Sequence, residues 1–113
     1  MPPKKNPLKL NTLQLKTLTV LQVMARDPNV ATTDEETGDI HITEMPMPHG
    51  NHFHVGQGIV MARDATGLGN PSVFEALGRK GLVRPAFPRG VLLTPEGAGY
   101  ETGLEDRIIL SNH

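Results

Sequence analysis

Proline and glycine limit the length of nearly every element this chain can form. Ten prolines and twelve glycines stand among 113 residues. Beyond the first thirty residues they interrupt the sequence so often that short helices, short strands and many turns are expected. A chain of this length supports one domain around one core. It has no tryptophan, one tyrosine and three phenylalanines at 37% hydrophobic residues, so that core is built from Leu, Val, Ile, Met and Ala.

The one long element precedes the punctuation. After "MPPKKNPLK", a Pro-rich basic segment read as a flexible tail over residues 1–9, comes "NTLQLKTLTVLQVMAR". Asn11 is an N-cap candidate, and Gln14 three residues later has the spacing of a capping box. Leu10, Leu13 or Thr17, Leu18, Leu21 and Met24 or Ala25 recur near helical spacing. The helix is expected to stop at Arg26-Asp27-Pro28, because the residue before a proline avoids helical backbone angles.

Alternation then replaces helical spacing. Asp39-Ile40-His41-Ile42-Thr43 and His52-Phe53-His54-Val55 each put a pair of apolar residues on one face of a strand. The segments "DEETG" and "PMPHGN" have turn character, so one or two β-hairpins are expected here. Pro46 and Pro48 lack a ladder donor, which confines their segment to an edge or a loop. Gln57 to Arg63 suits either a helix or a strand.

Helical signals return in "GLGNPSVFEALGRKGLV". Asn70 can cap, Pro71 takes the favoured first helical position, and Val73, Phe74 and Leu77 make an apolar stripe. Gly81 supplies the left-handed residue that ends the helix after Lys80. "LVRPAF" and "GVLLT" then form two short strands around Pro88-Arg89-Gly90. Thr94 caps a last helix that begins at Pro95-Glu96 and buries Tyr100 and Leu104, although Gly97, Gly99 and Gly103 weaken it.

The order of a helix, Arg79-Lys80-Gly81-Leu82-Val83, a short hairpin, Leu93-Thr94-Pro95-Glu96-Gly97 and a helix resembles the C-terminal half of winged-helix transcription regulators of the MarR type. The resemblance covers Asn70 to Tyr100, and the first helix is similar to the one that opens the family's winged domain. It implies a helix-turn-helix whose turn glycine is Gly67, with Val73 at the expected apolar position six residues later and Arg63 at a position where a small residue is usual. It further implies that the helix from Asn70 enters the DNA major groove. Asn70 and Ser72 would then read or position, Arg79 and Lys80 would meet phosphates, and Arg89 would stand at the tip of a short wing. Family members carry further helices for dimerisation, so a homodimer is among the expected partners.

Charge neither demands nor excludes an anionic partner. The net charge is −1, but Met1 to Arg26 is +5, Asp27 to Ala62 is −6, Arg63 to Pro95 is +3 and Glu96 to His113 is −3. Phosphate binding depends on local density of Lys and Arg, and the two basic blocks can supply it if they share a face. The absence of cysteine excludes disulfides and thiolate metal sites. No signal-peptide pattern and no uncharged apolar run are visible, so a soluble cytoplasmic protein without a membrane partner is expected.

A second constellation is His49-x-x-His52-x-His54, with His41 on a neighbouring strand as a further candidate. His52 and His54 share a strand face, and neutral imidazoles bind divalent metals. Fewer than four protein ligands would leave the ion open to water, and no other cofactor is suggested. The glycines of "GQGIVMARDATGLG" lack the spacing of a phosphate or dinucleotide loop, and no nucleophile motif is present, so no enzyme activity and no catalytic residue are expected. The sequence thus points to a single α+β domain over 10–113, a small winged-helix-like domain with an additional β-hairpin. Its leading role is DNA binding in transcription regulation. A protein-interaction module on the same fold, or a metal or small-ligand binder through the histidines, are the alternatives.

Overall fold

The capping box at the start of the first helix is formed. Asn11 Oδ1 accepts from the Gln14 amide at 2.8 Å, and the Gln14 side chain accepts from the Asn11 amide at 3.0 Å. Helix α1 runs from there over Thr12–Ala25. The computed structural model describes residues 6–46, 48–56, 58–85 and 90–111. After α1 come β1 (Ala31–Thr33), β2 (Ile40–Ile42), β3 (Pro48–His49), β4 (His52–Val55) and β5 (Gly58–Met61). Then follow α2 (Pro71–Arg79), β6 (Val83–Pro85), β7 (Val91–Leu93), α3 (Pro95–Gly99), α4 (Glu105–Ile108) and β8 (Ile109–Ser111). The result is an α+β fold with two antiparallel sheets.

Helix α1 has no single apolar stripe. Thr17, Leu18, Thr19, Val20, Leu21, Val23 and Met24 are all buried, because α2, α3, α4 and strands of both sheets pack around it. Two buried threonines are compatible with this because their hydroxyls donate to the carbonyls of Leu13 and Leu15, four residues back, at 2.9 and 2.7 Å. Thr19 also shares a 2.6 Å hydrogen bond with buried Thr102. The cores of α2 and the sheets close on the same cluster through Leu77, Ile42, Val60, Leu82 and Leu93.

The first sheet has the order β1-β2-β7-β6, with Ile42 opposite Val91 and Val83 opposite Leu93. The turn between β1 and β2 is the acidic segment. Asp34 accepts from Glu36 through its carboxylate and from Gly38 through its carbonyl, and Gly38 has φ +80°. The second sheet has the order β3-β4-β5-β8. Pro48 lies in an edge strand, as its missing donor requires.

Three expectations change. Residues 58–61 form strand β5, where alternating Gly58 and Val60 are buried, and Ala62–Asp64 and Thr66–Gly69 form short 3-10 turns. The segment before α2 is therefore not an α-helix, because Ile59 and Val60 complete a sheet with β4 and β8. Gly67 ends against α1, where a Cβ would overlap the Thr17 hydroxyl. The last helix stops at Gly99, and Leu104 only precedes α4. Three glycines make a continuous helix unfavourable there, and the apolar run Ile108-Ile109-Leu110 passes into a strand beside β5. His41 lies on β2, in the other sheet from His52 and His54.

The Thr-Pro-x-Gly segment acquires a packing reason. Thr94 is 4% exposed. Its hydroxyl accepts from the Gly97 amide at 3.0 Å and lies within donating distance of the Gly81 and Leu82 carbonyls. It thereby joins the end of α2 to the start of α3. A Cβ on Gly97 would overlap the Leu82 carbonyl oxygen, whereas Gly99 has open space around it. Gly97→Ala is expected to destabilise the fold by about 2 kcal/mol or more through overpacking. Gly99→Ala should stay within about 0.5 kcal/mol of the parent in urea denaturation.

Candidate functional site

Helix α2 is mounted by its sequence with one side in the core. Asn70 Oδ1 accepts from the Ser72 amide at 3.0 Å and Pro71 occupies the first turn. Val73, Ala76 and Leu77 are buried. Gly81, at φ +76°, ends the helix, with the Leu82 amide donating to the Leu77 carbonyl at 3.0 Å. Ser72, Glu75, Arg79 and Lys80 face solvent, which brings three of the residues expected to contact DNA onto one exposed element. Asn70 is half-buried and its carbonyl oxygen is engaged as the helix cap. Arg89 lies outside the described residues.

Beside α2 runs a groove of about 1060 Å³. One wall is α2, through Phe74, Glu75 and Arg79; the other is the β6–β7 pair, through Val83, Arg84 and Val91. Leu68 and the segment after β2, with Glu44 and Met45, complete its lining. The apolar part of this groove escapes a search for charged contacts in the sequence. Phe74 is visible only as part of a helical stripe, and Glu44 and Met45 reach it through the β2–β7 pairing.

Charges segregated along the chain are interleaved in space. Lys16 pairs with Asp64 at 2.7 Å, Arg26 with Glu105 at 2.7 Å and Arg79 with Glu75 at 3.3 Å. The last pair is an i,i+4 contact with both side chains 70% exposed, so it contributes little and yields readily to another partner. Arg84 pairs with Asp39, whose side chain is 7% exposed. That hydrogen bond first, and the carboxylate charge second, hold the Arg84 guanidinium above its ordinary pKa. A raised arginine pKa stabilises the fold at every pH below the arginine's own titration and is lost only above it. Arg84 therefore adds no pH dependence near neutrality. Asp39 Oδ1 is buried without a hydrogen-bond partner among the described residues, which makes the ion pair at Oδ2 its main compensation.

The histidines divide between the sheets. His52 is half-buried and His54 exposed on β4, with ring centres 5.1 Å apart and planes at 77°. His52 Nδ1 lies 3.4 Å from Asn51 Oδ1. His49 stands opposite His52 in the β3–β4 register, and its side chain is outside the described residues. Among the described residues, no group of three or more His, Asp or Glu is placed to hold a metal ion, and no helix is long and apolar enough to cross a membrane.

Arg84→Ala, which leaves the buried Asp39 carboxylate without its cation, is expected to lower the urea midpoint more than Arg79→Ala. Denaturation of both variants at neutral pH checks this order. Compared with protein-family models, with curated proteins and with solved structures, the chain matches none.

Proposed function

We propose that this chain is a winged-helix domain that binds duplex DNA in transcription regulation, with α2 in the major groove and the β6–β7 pair as its wing. The observation that carries this proposal is the arrangement around α2. Helix α2 leads directly into β6 and β7, and β7 pairs with β2, so that the hairpin completes the sheet in the order β1-β2-β7-β6. This leaves α2 exposed along one side and flanked by a hairpin, which suits groove insertion.

Chemistry on that side fits backbone contact better than dense base readout. Arg79 and Lys80 are exposed at the C-terminal end of α2, and Arg89 would add a third cation from the wing. The Arg79–Glu75 pair is weak enough for a phosphate to displace it. Glu75 opposes phosphate but can accept a hydrogen bond from cytosine. Asn70, occupied as a cap, positions α2, and the exposed Ser72 would reach the duplex. The 3-10 turn at Thr66–Gly69 contains Gly67, the turn position of the motif, and is preceded by strand β5 where the motif has its first helix.

About three phosphate contacts correspond to a log–log salt slope of roughly −3 for duplex affinity. Arg79→Ala and Lys80→Ala are each expected to reduce that slope by about 1 and weaken binding. Fluorescence anisotropy with a labelled duplex over a salt series measures both. Absence of retention at low salt removes the proposal. A protein complex that survives high salt and is lost in Phe74→Asp, but not in Arg79→Ala, would assign the groove to a protein partner instead.

A further inference from the structure

We propose that the groove between α2 and the β6–β7 pair binds a small organic cation, an ammonium group on an apolar or aromatic body, with Glu44 as the charged anchor. Met45, Leu68, Phe74, Val83, Pro85 and Val91 give the groove an apolar lining. Its volume of about 1060 Å³ is of the order of clefts that hold drug-sized ligands, roughly 300–1,000 Å³. Met45 is 39% exposed there, one of two large apolar side chains left exposed among the described residues.

The polar lining selects the sign of the charge by elimination. The Thr43 hydroxyl donates to the Val30 carbonyl at 3.2 Å. Arg79 and Glu75 pair with each other, and Arg84 is held by Asp39. Glu44 is left: it is exposed and stands in no ion pair among the described residues. Once the two pairs cancel, its carboxylate leaves the groove with a negative charge, and Glu96 adds to the negative potential at Arg84. An organic anion gains Arg79 only by displacing Glu75, whereas an ammonium meets a carboxylate that is already free. Phe74 favours the same ligand, because an aromatic ring attracts a cation over its face. The flexible thioether of Met45 adapts to apolar bodies of different shape. The site requires no duplex, so it stands or falls separately from the proposal that α2 reads DNA.

The test titrates the full chain by calorimetry with three probes that share one body: phenylbutylamine, phenylbutanol and phenylbutanoate. At neutral pH one amine per chain is expected to bind, about fivefold tighter than the alcohol and about tenfold or more tighter than the carboxylate. Glu44→Gln, at an exposed position that leaves the fold intact, should bring the amine to the affinity of the alcohol and leave the alcohol unchanged. Phe74→Ala should weaken amine and alcohol alike by about fivefold or more. No binding of the amine up to about 5 mM removes the site. Parent affinity for the amine in Glu44→Gln would overturn the anchor, and equal or tighter binding of the carboxylate would overturn the choice of a cation in favour of Arg79. A dimer in sedimentation equilibrium that is lost in Met45→Asp would give the groove to a second copy of the chain instead.

Discussion

Burial of α1 on all sides is the constraint to which the other elements conform. A helix enclosed in this way can carry polar residues only where each finds a partner, as Thr17, Thr19 and Gln22 do. Thr17 and Thr19 turn their hydroxyls onto their own helix. Thr19 also reaches Thr102, and Gln22 donates to the carbonyls of Gly97 and Tyr100 at the end of α3. A five-residue helix has no internal partners for most of its carbonyls, so α3 depends on Gln22 for its C-terminal end. The N-terminal segment is tied to the same region, where the Tyr100 hydroxyl donates to Asn6 and accepts from the Leu8 amide.

Electrostatics connects the sheets and helices more than it marks a basic face. Lys16, in the first basic block, meets Asp64, and Arg84, in the second, meets Asp39 of the acidic block. These contacts consume charge that the sequence presents as clustered. Arg79 and Lys80 stand exposed at the end of α2, where the ion pair described for Arg79 is an exposed and weak one. The same region holds an apolar groove bordered by Glu44 and Glu75.

The second sheet separates two groups of residues that lie close in sequence. Strand β4 carries the histidine pair, and β5 runs directly into the 3-10 turns that lead to α2. Gly67 at the end of that path admits α1 because it has no Cβ. The residues before Gly67 run as strand β5 and short 3-10 turns and not as an α-helix.

Sequence alone determined the features that depend on a few neighbouring residues. The Asn11–Gln14 capping box, the Asn70-Pro71 start and Gly81 stop of α2, the edge position of Pro48, and the Thr94 cap all follow from local hydrogen bonding and backbone angles. It also placed Ser72, Arg79 and Lys80 together, since helical spacing puts them on one short exposed element. Tertiary structure decided whatever required a distant partner. Gly58 to Met61 became strand because β4 and β8 supply its hydrogen bonds, and His41 was separated from the other histidines by sheet order. Arg84 was drawn to Asp39 by a buried carboxylate 45 residues away. Short-range capping and turn energies are encoded within one turn of chain, whereas strand pairing and ion pairing are settled only when remote segments compete for the same buried surface.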